Sequence, residues 1–371
     1  MAMPGMADIP FIEDIIGIRD ATSVLHDRLR NIGATSPHKR RSQVRVRPPG
    51  PELMDVELAY GPVPSRRLGR SLGINNVPPK TCSYGCVYCQ LGPTTMPSDE
   101  RQSFYAPSDI ESAVEERLAE LDANGASVDT LTIVPDGEPT LDAQLGETID
   151  LLDAFDADVA VITNGSLLHR ESVREALSGA DWISVTVDGG SAPIWRSVDR
   201  PHGSLSFETF TRGLRAFARE FDGTLTTETM LVAGTNDDRA AVESTADLVA
   251  EIDPETAYVA VPTRPPAEEW VEPPDEVTVV RAYERFDEQI DSVEYLIGAE
   301  GEAFGSTGEL ATDVLGITAV HPMRRSQVKT LVAEADADWS VIESLLETGD
   351  LLELEYGDET FYARPIDRER E

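Results

Sequence analysis

Residues Thr81–Gly92 read TCSYGCVYCQLG and hold every cysteine of a 371-residue chain. Cys82, Cys86 and Cys89 follow the spacing C-x3-C-x2-C. Three is an odd number for disulfide pairing, and a reducing compartment disfavours disulfides altogether. Structural zinc takes four closed ligands, commonly as two separated pairs. None of the five histidines lies near this loop in sequence. A redox dithiol needs two cysteines and no third. Three thiolates in one short loop suit three irons of a [4Fe–4S] cluster, whose fourth iron then lacks a protein ligand. An open metal position is what a catalytic centre needs.

The loop sits inside a regular alternation. GINNV (73–77) precedes it and the helical run SDIESAVEERLAEL (108–121) follows. That run opens with Ser108 and Glu111 in capping-box spacing, and Ile110, Val114, Leu118 and Leu121 share one face. Strand-like runs recur at 130–135, 158–163, 182–187, 224–232 and 257–262. Helical runs near 142–155, 169–178, 206–219, 237–251 and 275–290 follow them in turn. The strands are short and rich in β-branched residues, as strands buried on both faces are. Six strand–helix units in succession predict an α/β fold with a parallel sheet, open or partly closed into a barrel. In such barrels the reactive groups follow the C-terminal ends of the strands.

From about residue 307 the alternation stops. QVKTLVAEA and DWSVIESLLETG read as two short helices, and LLELEY, GDET and FYAR as a hairpin. Together they predict a small winged-helix-like module over 307–371, a type that contacts nucleic acid or other protein surfaces. Residues 1–53 stand apart at the other end. They carry eight basic and six acidic residues and read as a basic, flexible extension, or as a start placed too far upstream of Met54.

The whole chain carries 31 basic against 68 acidic residues, a net charge of −37, and its lysines are Lys39, Lys80 and Lys329 alone. Such a surface repels itself in ordinary salt. In very high salt the repulsion is screened within a few ångströms. The lysine-poor, acidic composition resembles that of proteins from salt-loving archaea. No apolar run reaches the roughly 20 residues of a membrane span, and the N-terminus shows no secretory pattern. A cytoplasmic protein with no membrane partner is expected.

CSYGCVYC resembles the signature of the radical S-adenosylmethionine (SAM) enzymes, C-x3-C-x-aromatic-C. Its context agrees: the loop follows the first strand, and DGEPTL (136–141) after the second resembles that superfamily's Gly-Gly-Glu motif, with Asp136 in the first glycine's place. The resemblance implies a partial (β/α)6 TIM-like barrel over residues 54–300. It implies that Cys82, Cys86 and Cys89 ligate a [4Fe–4S] cluster, that Tyr88 lies against the adenine of SAM, and that Gly137, Glu138 and Pro139 receive its methionine amino group. One electron from a reducing donor then yields a 5′-deoxyadenosyl radical that abstracts hydrogen from a substrate.

Further candidates lie after later strands. Asn164 and Asp188 are placed to hydrogen-bond the ribose or amino acid of SAM. Arg200, His202 and Arg264 sit on loops at the expected barrel mouth, where arginine suits phosphate or carboxylate and histidine suits proton transfer. Arg66 and Arg67 in PSRRLGR form a basic patch for an anionic substrate. GPVPSRRLGRSLGINN, the cysteine loop and RPPAEEW together resemble the branch grouped with the tRNA wyosine-base synthases. The ending YCQLG, in place of a tryptophan-containing form, separates the chain from those synthases. The substrate is left undefined, with a tRNA base as one candidate that the branch resemblance implies. The competing expectation is an Fe–S redox sensor that acts on nucleic acid through the winged-helix-like module.

Overall fold

The β-branched runs form strands that lie side by side in sequence order. In the computed structural model the described residues are 57–297, 304 and 306–365, so the basic segment 1–53 falls outside them. The described part opens with a hairpin of β1 (Ala59–Ser65) and β2 (Gly69–Ile74), and the short strands β3 (Thr81–Cys82) and β4 (Met96–Pro97) flank the cysteine loop. Then follow α1 (Pro107–Ala123), β5 (Thr130–Ile133), α2 (Leu145–Leu152), β6 (Asp158–Thr163), α3 (Glu171–Leu177) and β7 (Trp182–Thr186). Two helices, α4 (Ala192–Val198) and α5 (Phe207–Glu220), lead to β8 (Thr224–Met230). The run closes with α6 (Arg239–Ile252), β9 (Thr256–Ala260), α7 (Glu276–Asp287) and β10 (Val293–Leu296).

The main sheet has the order β1-β2-β5-β6-β7-β8-β9-β10, with every pair from β2 to β10 parallel and β1 antiparallel to β2. Five of the six expected strands lie where they were read, and the first, expected at 73–77, is β2, which ends at Ile74. β1, β10 and α4 were not anticipated: β1 carries two prolines and no alternation, and β10 is only four residues long. Laid flat, eight strands about 4.8 Å apart would span about 34 Å. Yet Tyr60 of β1, Thr132 of β5, Met230 of β8 and Leu296 of β10 line one cavity of about 350 Å³. The sheet is therefore curled around that cavity as a partial barrel, with β1 and β10 as its unjoined edges among the described residues.

Local signals explain most helix starts. Ser206, Asp238 and Asp275 accept backbone N–H groups at the heads of α5, α6 and α7. The capping box expected at Ser108 and Glu111 is absent. α1 begins at Pro107, whose fixed φ suits the first helical turn, and Ser108 falls inside it. Outside the barrel, α1 to α7 bury a continuous apolar shell that includes Ile110, Ile149, Trp195, Phe217 and Phe286.

The C-terminal part contains the two expected helices and hairpin, plus one helix and one strand more. α8 (Leu310–Val320), β11 (Met323–Arg324), α9 (Arg325–Glu334), α10 (Ser340–Thr348), β12 (Leu352–Tyr356) and β13 (Glu359–Ala363) enclose their own core around Ile317, Leu331, Ile342 and Tyr362. Its strands order β11-β13-β12, all antiparallel. It is docked to the barrel through a buried ion pair: Arg117 of α1 donates Nη2 to Asp313 of α8 at 2.9 Å and Nε to the Gly61 carbonyl at 3.0 Å. No helix among the described residues is long and apolar enough to cross a membrane.

Candidate radical SAM site

The cysteine loop is held by main-chain bonds to segments far away in sequence. Gly85 N donates to the Asp199 carbonyl at 3.0 Å, Val87 N to Val198 at 2.9 Å, and His202 N to the Ser83 carbonyl at 2.8 Å. On its other flank, Glu138 N donates to the Thr81 carbonyl at 2.9 Å. This second contact explains the glycine of DGEPTL. A Cβ on Gly137 would lie 2.2 Å from the Thr81 carbonyl oxygen, so only glycine lets the two loops meet. Tyr84 pins the middle of the loop in an aromatic nest, accepting the Trp195 indole N–H at 2.8 Å beside Phe210.

All three cysteines are half-buried free thiols at the C-terminal ends of the strands, and Cys86 and Cys89 line the barrel cavity with Tyr88. Burial pushes each thiol upward in pKa. For Cys82 the carboxylate of Glu138 adds to this, and for Cys86 those of Asp199 and Asp188 do. For Cys89 the ammonium of Lys80 works in the opposite direction. Such thiols ionise poorly alone, but a coordinated metal deprotonates them outright. Three soft sulfurs lacking enough cationic partners fit an iron–sulfur cluster by donor type and by charge. Among the described residues, no three His, Cys, Asp or Glu side chains are arranged for a single metal ion. Cluster ligation does not require that, because each cysteine then meets a different iron.

Glu138 is 1% exposed, and its carboxylate is used inside the protein. Oε1 accepts Thr140 N at 3.0 Å, Thr140 Oγ1 at 2.5 Å and Thr163 Oγ1 at 2.6 Å, and Oε2 accepts Asn164 N at 2.8 Å. Burial raises its pKa, and these four donors counter the rise. Beside Tyr88, its hydroxyl donates to Asp188 Oδ2 at 2.5 Å, and Met230 N donates to Asp188 Oδ1 at 2.7 Å. Asp188 in turn shares a hydrogen bond with Asp199, to which Cys86 Sγ donates at 3.6 Å. Burial pushes Asp188 up to about 7 and Asp199 higher than its ordinary range, Asp188's charge adding to the latter.

Residues 76–249 match the family model described as the Radical SAM superfamily. UPF0026 protein MJ1312 of Methanocaldococcus jannaschii is 40% identical over 313 residues, which is 84% of this chain and 97% of that protein. The chain belongs to the UPF0026 family. UPF0026 protein slr1464 of Synechocystis sp. is 37% identical over 209 residues, 56% of this chain and 76% of its own length. Among solved structures, TYW1 with a lysine–pyruvate adduct bound aligns with a TM-score of 0.48 and 15% identity, over 60% of this chain and 74% of that one.

In this UPF0026 chain the cavity gathers some of the expected residues and leaves others out. Cys86, Cys89, Tyr88, Arg66, Arg67 and Arg264 line it, while Glu138, Gly137, Pro139, Asn164, Asp188, Arg200 and His202 do not. Arg264 is held between Gln90 of the cysteine loop, at 2.6 Å, and His321 of the C-terminal part, at 3.1 Å. Arg200 has a left-handed backbone, with φ 45°, and its exposed guanidinium pairs with Glu268. His202 lies outside the barrel, bonded to Ser204 at 2.8 Å and near Asp99 at 3.4 Å. Arg67 rises from the β1–β2 turn to meet Glu228 at 2.7 Å, between the rings of Trp182 and Tyr258.

Three residues escaped the sequence reading: Asp199, Lys80 and His321. Lys80 pairs with Asp136 at 3.0 Å, which gives the departure from Gly-Gly-Glu a structural partner. Lys80 is one of only three lysines and adjoins the cysteine loop, a signal that could have found it. Asp199 and His321 act across 113 and 57 residues, and nothing local marks them.

Proposed function

We propose that Cys82, Cys86 and Cys89 hold a [4Fe–4S] cluster and that the adjoining cavity takes SAM and a substrate. Bound together and given one electron by an external donor, cluster and SAM would supply a 5′-deoxyadenosyl radical, with methionine as the leaving group, for hydrogen abstraction. The observation that carries the reading is the junction of the cysteine loop with the DGEP loop at the mouth of a curled parallel sheet. Around it the chain's own residues have definable work. Tyr88, held by Asp188, offers its ring to the cavity for an adenine. Gly137, Glu138 and Pro139 form the shelf against Cys82 for the amino-acid end of SAM. Arg264, braced by Gln90 and His321, faces a substrate, with Arg200 and His202 on the outer rim.

A cavity of about 350 Å³ falls in the usual range of about 300–1,000 Å³ for small-molecule sites. The C-terminal part contributes Val320 and His321 to its wall. That contribution favours an enzyme whose module closes the site over a sensor whose module is free for nucleic acid. A modified tRNA base, brought in flipped from its stack, stays a candidate substrate. The acidic, lysine-poor surface supports a halophilic origin and assays in high salt.

The test is anaerobic reconstitution with iron and sulfide in molar salt, followed by reduction with dithionite and addition of SAM. The intact protein is expected to bind about four irons per chain on the cluster stoichiometry, show a reduced-cluster EPR signal, and convert SAM to 5′-deoxyadenosine. Cys82→Ala, Cys86→Ala and Cys89→Ala each bring 5′-deoxyadenosine below detection. Colourless protein carrying zinc and no iron, or an iron-loaded protein that leaves SAM intact, overturns the proposal.

A further inference from the structure

Asn164, expected from sequence to hydrogen-bond SAM, has its side-chain amide against the cysteine loop. Its Oδ1 accepts Ser166 N at 3.0 Å. A backbone N–H can only donate, so this bond fixes which end of the carboxamide is oxygen. The amide nitrogen is thereby turned to the cysteine loop, where it donates to Ser83 Oγ at 2.9 Å and to Cys82 Sγ at 3.7 Å. The backbone beneath it is equally fixed. Asn164 N donates to Glu138 Oε2 at 2.8 Å, and the other oxygen of that buried carboxylate is held by Thr140 and Thr163. The residue is thus clamped on both sides and has little freedom to swing toward the cavity.

The three sulfurs differ in their surroundings. Cys82 receives two N–H groups, from Asn164 and from Tyr84 N at 3.5 Å. Cys86 faces the carboxyl of Asp199. An N–H donor survives deprotonation of the thiol and is strengthened by it, because the acceptor becomes an anion. Hydrogen bonds to ligand sulfur withdraw electron density and make a cluster easier to reduce.

We propose that Asn164 is a positioning residue for the cluster: it donates to the Cys82 ligand sulfur and raises the reduction potential of the cluster. The inference rests on the cluster reading above. It assigns Glu138 a second duty, as the anchor that holds Asn164 in line with Cys82.

The experiment is a redox titration of the reconstituted full chain without SAM, followed by EPR, so that cofactor binding cannot enter. Asn164→Asp keeps shape and the bond from Ser166 while it replaces the donor with an anion. It is expected to shift the midpoint most to the negative side, with Asn164→Ala shifted less and Asn164→Gln partly restored toward the wild type. Cluster content of all four proteins is measured alongside. Equal midpoints in wild type, Asn164→Asp and Asn164→Ala overturn the inference while leaving the cluster reading intact. A wild-type protein that binds no iron overturns both, and iron analysis separates that case from the first. Should the variants load poorly, the wild type labelled with ¹⁵N-asparagine answers the same question. An asparagine-nitrogen hyperfine coupling to the reduced cluster is expected, and its absence sinks the proposal.

Discussion

On the floor of the barrel Arg67 meets Glu228 at 2.7 Å between two aromatic rings, whereas at the rim three thiols stand beside four buried carboxyls. The floor closes its charge within the chain. A guanidinium stacked on aromatic faces and paired with a carboxylate leaves no net charge behind. The rim does not close in the same way. Lys80 is matched to Asp136, while Glu138, Asp188 and Asp199 sit at 1–2% exposure with protons or N–H donors for company. Burial against one's own counter-charge makes a stable plug. At the rim the buried acids and thiols are held instead by protons and N–H or O–H donors.

Three measurements test this contrast. The largest effect concerns the proton that Asp188 and Asp199 hold between them, kept there because burial raises both carboxyls and each opposes ionisation of the other. An unfolded aspartate releases its proton near pH 3.9. Above that value the folded chain holds a proton that the unfolded chain has lost, so stability is full below about pH 4 and falls as pH rises through about 7. Against Asp188→Asn, which removes one acid of the pair, the cluster-free wild type is expected to lose clearly more stability over that window. Denaturant melts at a series of pH values, in constant high salt, read this directly. Parallel curves for the two proteins would show that the rim holds no such proton.

Next comes the seam between the two loops. Gly137→Ala forces a methyl against the Thr81 carbonyl at 2.2 Å. It is expected to cost about 3 kcal/mol and to weaken iron retention by moving Cys82. Full iron retention with an unshifted melt would mean that the loops do not need this close approach. The smallest effect belongs to the floor. Glu228→Gln leaves Arg67 with a neutral partner and is expected to cost about 2 kcal/mol, with iron content unchanged. Iron loss there, comparable to that of Gly137→Ala, would erase the distinction between floor and rim.

Much of the fold was legible because its signals are local. Strand–helix alternation from 73 to 290 shows in short windows, and five of the six predicted strands pair in the sheet where they were read, the first being displaced toward residue 69. The start of α1 misled because Ser108 and Glu111 imitate a capping box while Pro107 takes the first helical position. β1 was hidden by Pro62 and Pro64, which are tolerated because it is an edge strand. The helix α8 falls in the part of the chain where the alternation had already stopped. Within the candidate site, the cysteines, Tyr88 and DGEP were legible as motifs. The contacts of Asn164 and Arg67 were not, since each meets a partner more than eighty residues away.

The sequence by itself determined the donor set: three thiols in one loop and no other cysteine, placed after the first strand of a parallel α/β sheet. That much follows from residue chemistry and periodicity, which require no knowledge of distant contacts. Only the tertiary structure decided which groups face those thiols. It curled the sheet so that both edges share one cavity, set Arg67 as its plug, and turned Asn164 toward Cys82 and away from the cavity. It also drew His321 from the C-terminal module onto the wall. Side-chain direction depends on which backbones approach closely enough to bond, and here glycine at 137 and the carboxylate of Glu138 set that approach.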